Sequence, residues 1–154
     1  FLYKYGGLFV DTDIVLLKQF DLDKSFIFIS ELNESGKKSV TNGLIYSRRI
    51  GRAIFRMALD DINYRNKERL RHGEVGPILL NSLVKKCNLE EFVLGHDAFC
   101  SIGWYETLKL IDGTQLSEDA IGIHLCDAIN TLDNIDLKTY PYVSIIEQLK
   151  RKYL

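Results

Sequence analysis

The sequence predicts a single α/β domain, and three observations carry that expectation. At 154 residues, with 46% apolar and 27% charged side chains, the chain has the length of one domain and enough apolar material for a hydrophobic core. Short β-type apolar runs alternate with longer stretches whose apolar residues recur at helical spacing. No repeat, low-complexity tract or Pro/Gly/Ser-rich linker divides it.

Leu8-Phe9-Val10, following Gly6-Gly7, is the first strand candidate. Ile14-Val15-Leu16-Leu17 is the second, separated from the first only by Asp11-Thr12-Asp13. Phe26 to Ile29 is a third. Thr41 to Tyr46 is a fourth, in which Asn42-Gly43 marks a turn or a close backbone approach. From Ile50 to Arg65 the residues Ile54, Phe55, Ala58, Leu59 and Ile62 follow helical periodicity. Gly76-Pro77 fits a helix entrance, because proline is tolerated in a first turn. Ile78, Leu79, Leu80, Leu83 and Val84 would be that helix's buried stripe. Leu89 to Val93 is a short strand or a connector, and Ala120 to Leu125 a late strand ending near His124. Ser144 to Tyr153 has the pattern of a C-terminal helix, with Ile145, Ile146 and Leu149 on one side.

The formal net charge is −1, with both signs mixed along the chain. A nucleic-acid partner is therefore not expected, since such proteins present a basic face. No apolar run approaches the span of a bilayer. The chain opens on Phe1 and its one methionine is Met57, so we expect a piece of a longer product, with room for a membrane anchor upstream. Cys87, Cys100 and Cys126 lack metal-ligand spacing. They read as buried free thiols in a reducing compartment, or as one disulfide and one free thiol in a secretory one.

Asp11 and Asp13 carry the chemistry. Two acids between apolar β segments are expensive to bury unless the carboxylates find a partner. On an extended chain, residues two apart project to the same side, and like charges held so close need a cation beside them. Oxygen ligands of this kind suit Mg²⁺ or Mn²⁺, and such an ion can neutralise a departing diphosphate. Gly6 and Gly7 leave room for a backbone or ligand to come close. The bland alternative is a solvated turn between strands.

The run from Tyr3 through Gly6-Gly7-Leu8-Phe9-Val10-Asp11-Thr12-Asp13 to Lys18 resembles the sugar-binding DXD segment of the family 32 glycosyltransferases. The likeness continues in the family's order through Asn42-Gly43-Leu44, Gly76-Pro77-Ile78-Leu79-Leu80, Ala98 to Trp104 and Ile123-His124-Leu125, and ends near residue 130. Chain 1–154 would then be one catalytic-core domain of GT-A type, N-terminally truncated, with the first nucleotide-binding strands absent. The implied activity is retaining transfer of a hexose from a nucleotide sugar, a UDP-hexose, to a glycan or glycolipid acceptor.

The resemblance implies Mn²⁺ or Mg²⁺ held by Asp11, Asp13 and His124. It implies substrate contacts from Gly7, Asn42, Gly43, Gly76, Pro77 and Trp104. Cys100-Ser101 and Cys126-Asp127 depart from the family's Tyr-Pro and Trp-Asn, on the acceptor side of the implied site. Compartment stays open: cytoplasmic and membrane-associated in a bacterium, Golgi lumen in a eukaryote. Taken residue by residue, His124 is either a packed core histidine or a ligand, and Trp104 either a core plug or a sugar-stacking surface. Asn42 is a turn residue or a sugar contact, and Glu74 a first-turn helix acid or a substrate contact. Lys4 and Arg48-Arg49 read as solvated charges, with Lys4 near enough to the motif to meet a phosphate, and His72 and His96 read as exposed loop residues. Two other functions stay open: a non-catalytic carbohydrate- or nucleotide-binding module, and a magnesium phosphohydrolase.

Overall fold

The computed structural model describes residues 1–126 and 141–154; Asp127 and the far end of the resemblance lie outside them. A short helix α1, Leu2–Tyr5, leads into β1, Gly7–Val10. There follow β2 (Ile14–Leu16), β3 (Phe26–Leu32), β4 (Lys38–Ser47), α2 (Ala53–Tyr64), α3 (Leu79–Lys86), β5 (Gly122–His124) and α4 (Ile145–Tyr153). The domain is mixed α and β. Among the described residues no helix is long and apolar enough to cross a membrane.

Among the described residues the strands form two small sheets, one ordered β1-β4-β3 and the other β2-β5. All three ladders are antiparallel. Alternating helical and strand segments thus do not make a parallel sheet here: β3 and β4 form a hairpin with a short connection, while β1 and β2 pair antiparallel with strands remote in sequence. The chain passes from the first sheet to the second between Val10 and Ile14, where Asp11-Thr12-Asp13 lies.

Residue type explains why these segments are strands. Phe26 to Ile29 are buried on both faces, as β-branched and aromatic residues favour. Phe26 and Phe28 face one apolar cluster with Ile54, Phe55, Leu79, Leu80, Leu83 and Val84 of α2 and α3. Ile27 and Ile29 face a second with Leu44, Phe99 and Cys100. Full burial of one such side chain contributes about 1.5–3 kcal/mol, so the central pair β3-β4 anchors the domain. A third cluster joins Ile102, Leu110 and Ile123 to Ile145 and Ile146 of α4.

The expectation at Gly76-Pro77 needs correction. Gly76-Pro77 does not open α3: Glu74–Ile78 forms a separate π-type turn with Gly76 in a non-helical conformation (φ −107°, ψ −112°), and Ile78 is 62% exposed rather than buried. Proline removes a donor and clashes with the preceding turn, which favours a distorted turn ahead of the regular helix. Leu89 to Val93 is a connector, a 3₁₀ turn over Glu90–Phe92 that ends in a single parallel bridge from Val93 to Phe28.

Candidate metal centre

Asp11 and Asp13 are brought together by a turn, not by an extended strand as the sequence suggested. The Asp11 N–H donates to Gly43 O at 2.8 Å, and the Ile14 N–H donates back to Asp11 O at 3.2 Å. This closes a β-turn with Thr12 and Asp13 at its centre. Thr12 is exposed, whereas both acids are half-buried. The turn is therefore not simply solvated.

His124 arrives from the far end of the chain. Ile14 pairs with His124, Val15 with Ile123 and Leu16 with Gly122 across β2-β5. The Leu125 N–H donates to Asp13 O at 2.9 Å, and the His124 N–H to Phe99 O at 2.9 Å. The imidazole Nε2 lies 3.2 Å from Asp13 Oδ1, with the two side chains only 15% and 23% exposed. One ligand atom from each of Asp11, Asp13 and His124 lies within 4.8 Å of the others. Ligands of a single Zn²⁺- or Mg²⁺-sized ion sit about 2.0–2.2 Å from it, so small side-chain rotations would close this set onto one cation.

The electrostatics fit a cation. Burial pushes the Asp11 carboxyl above its ordinary range; His124 opposes that shift and Asp13 adds to it. A positive ion would reverse the penalty of holding these charges away from water. His124 Nδ1 is buried and has no hydrogen-bond partner among the described residues, unusual for a core histidine that is merely packed. A donor set of two carboxylates and an imidazole suits a divalent first-row metal.

The structure brings some of the expected residues here and leaves others elsewhere. Gly43 belongs to the centre: a methyl group on it would lie 3.3 Å from His124 Cε1 and 3.4 Å from Nδ1. Gly7 is at the opposite end of β1 from the acids, about 13 Å along the strand, and its φ of +86° makes it a backbone requirement of the α1–β1 connection. Asn42 lines an apolar groove of about 370 Å³ with Phe9, Phe55, Leu59, Gly76 and Leu80. A methyl group on Gly76 would sit 3.0 Å from Asn42 Oδ1, so these two are brought together.

Pro77 packs beside Gly73, 3.5 Å from where a Cβ there would lie. Trp104 is no core plug: it is 36% exposed and meets the Tyr105 ring edge-on at 5.6 Å. Glu74 pairs with Arg65 and accepts the Arg71 N–H at 3.0 Å. That backbone bond is the main reason its carboxyl is held low. The Lys4 ammonium lies over the Tyr5 ring and the Arg48 guanidinium donates to Asp23 O. His72 is exposed and His96 half-buried beside Asp97. All three cysteines are free thiols.

Sequence reasoning passed over Glu31. It is half-buried near the end of β3 and interacts electrostatically with His124. An acid closing a hydrophobic strand was the available signal, but only the fold shows which face it takes. No family model matches the chain, and no curated protein or solved structure is detectably similar to it.

Proposed function

We propose that the chain is the catalytic core of a retaining glycosyltransferase of GT-A type, which moves a hexose from a UDP-sugar to a glycan or glycolipid acceptor with a divalent cation. The observation that carries this is the convergence of Asp11, Asp13 and His124, distant in sequence, into one cluster with ligand atoms within 4.8 Å. Support for the sugar-nucleotide part comes from the resemblance of the Tyr3–Lys18 run and the segments that follow it in order.

In this reading Asp13 and His124 hold the ion and Asp11 completes its shell or contacts the ribose. The ion, when bound, supplies Lewis-acid stabilisation of charge on the departing nucleotide. The chain's own residues bind and orient. The β-turn fixes the acid pair, the β2-β5 ladder fixes His124, and Gly43 leaves the imidazole its place. The imidazole nitrogen favours Mn²⁺ over Mg²⁺, which prefers all-oxygen shells.

The test is Mn²⁺-dependent hydrolysis of UDP-hexoses by the wild-type chain and by Asp13→Ala. Metal-dependent turnover that disappears in the variant supports the assignment, and an equal rate in both would sink it. The second reading is a module that binds a metal–nucleotide without transferring sugar. The buried thiol of Cys100 and the half-buried thiol of Cys126, both held protonated on the implied acceptor side, favour it. Calorimetry would then show UDP binding linked to Mn²⁺ with no turnover of any donor. The expected acceptor, nucleotide and membrane association all belong to this proposal.

A further inference from the structure

Glu31 is an acid next to the centre that the arrangement described so far does not use. Along β3, Phe26 and Phe28 face the α2–α3 side while Ile27 and Ile29 face Leu44, Phe99 and Cys100. Strand alternation carries Glu31 onto the second face. That face leads to the centre, since Phe99 O accepts the His124 N–H. Glu31 is half-buried and within electrostatic reach of His124, Cys100 and Cys126. Among the described residues its carboxylate has no hydrogen-bond or ion-pair partner.

His124 has the complementary deficit. Its Nε2 turns towards Asp13 at 3.2 Å, and its Nδ1 is buried without a partner among the described residues. The Nδ1 edge passes Gly43, where no Cβ from β4 screens it. A histidine that ligates a metal through one nitrogen almost always donates from the other to a carboxylate, a backbone carbonyl or water, and this fixes both tautomer and ring orientation. Among the described residues no backbone carbonyl takes that place.

We propose that Glu31 is the positioning residue of the centre: its carboxylate accepts a hydrogen bond from His124 Nδ1–H and holds the tautomer that leaves the Nε2 lone pair facing Asp11 and Asp13. This rests on reading the Asp11–Asp13–His124 cluster as a metal centre. One such bond satisfies both the buried Nδ1 and the Glu31 carboxylate.

The experiment uses the whole chain as wild type, Asp13→Ala, Glu31→Ala and Glu31→Gln. Mn²⁺ is titrated by calorimetry, and the imidazole nitrogens are followed by proton–nitrogen correlation in the metal-free and Mg²⁺-loaded protein. The wild type binds Mn²⁺, Asp13→Ala does not, and Glu31→Ala binds about 10–100-fold more weakly. Glu31→Gln, whose amide oxygen still accepts, recovers part of that loss and serves if the alanine variant does not fold. In the wild type the His124 proton resides on Nδ1 with a slowly exchanging resonance, which Glu31→Ala abolishes.

Wild-type Mn²⁺ affinity in Glu31→Ala together with an unchanged His124 tautomer overturns the proposal while leaving the metal reading intact. Failure of the wild type to bind Mn²⁺ overturns the metal reading, and the metal-free spectra then decide the Glu31–His124 bond on their own. A proton found on Nε2 rather than Nδ1 overturns it.

Discussion

Gly43 and His124 meet closely enough that a single methyl group distinguishes two arrangements of the centre. Ordinary contact begins near 3.4 Å, and a Cβ at Gly43 would lie 3.3 Å from Cε1 of the ring. Gly43→Ala is expected to move the imidazole by a few tenths of an ångström without unfolding the chain, since no left-handed backbone is involved. Sites lose function when ligands leave their geometry by about 0.5 Å, so Mn²⁺ affinity should fall roughly tenfold by calorimetry. An unchanged affinity would mean that His124 is not a ligand. The thiols supply a second residue-scale expectation. Burial, reinforced by negative neighbours, pushes the Cys126 thiol up to about 12 from an ordinary 9.0, and Cys100 higher still. Both are protonated at pH 8, and only the thiolate is nucleophilic. A disulfide reagent should therefore label Cys87 in the native chain and reach Cys100 and Cys126 only after denaturation. The sign of the linkage follows. The folded state binds these protons more tightly than the unfolded state, so their contribution is complete below about pH 9 and is lost as pH rises towards 12. Denaturant midpoints measured from pH 8 to pH 11 should fall.

At the scale of elements, the centre depends on β5 being held against β2. Gly122 makes that possible, because a Cβ there would lie 2.7 Å from the Phe99 ring and 2.9 Å from Val15 O. A backbone oxygen cannot yield as a side chain does. Gly122→Ala should cost about 1–3 kcal/mol as an overpacked site and weaken Mn²⁺ binding with it, because His124 follows two residues later. Ser144 allows the contrasting case. Its hydroxyl caps α4 by accepting the Glu147 N–H at 3.2 Å, and Ile145 and Ile146 then pack on the Ile123 cluster. Ser144→Ala should lower the unfolding free energy by about 1 kcal/mol and leave Mn²⁺ affinity unchanged in the folded protein. A loss of affinity in that variant would show that α4, and not only β2-β5, sets the ring. Most of these elements were legible in sequence. Helical periodicity marked α2 and α4, and continuous apolar runs marked β1 and β3. Ile78 was misjudged because periodicity assumes a regular helix, and Pro77 makes the turn there irregular.

For the whole molecule, the centre ties the two sheets together through residues remote in sequence, Asp11 and Asp13 between β1 and β2 and His124 in β5. A cation bound there stabilises only the folded state, by about 2.7 kcal/mol at a hundredfold excess over Kd. For a domain of this size that corresponds to roughly 5–10 °C in Tm. Thermal unfolding with and without saturating Mn²⁺ should show such a rise in the wild type and none in Asp13→Ala. A similar rise in both would place the metal elsewhere. The Asn42 groove is lined in part by the exposed rings of Phe1 and Phe9.

By itself the sequence determined the local pieces: which runs are strands, which stretches are helical, and that two acids interrupt a hydrophobic region. Those features depend on neighbours a few residues away, and periodicity records them directly. Only the tertiary structure decided that the acids sit in a turn where the chain changes sheets and that β2 pairs antiparallel with β5. It also decided that Gly43 and His124 share one small space, that Gly7 lies too far away to join them, and that Glu31 faces the same side. These are contacts between residues remote in the chain, set by strand register and by which face of each strand is buried. The Asp11–Asp13 motif is a pair of charges in sequence; strand pairing adds a histidine to it and makes a site that can hold a cation.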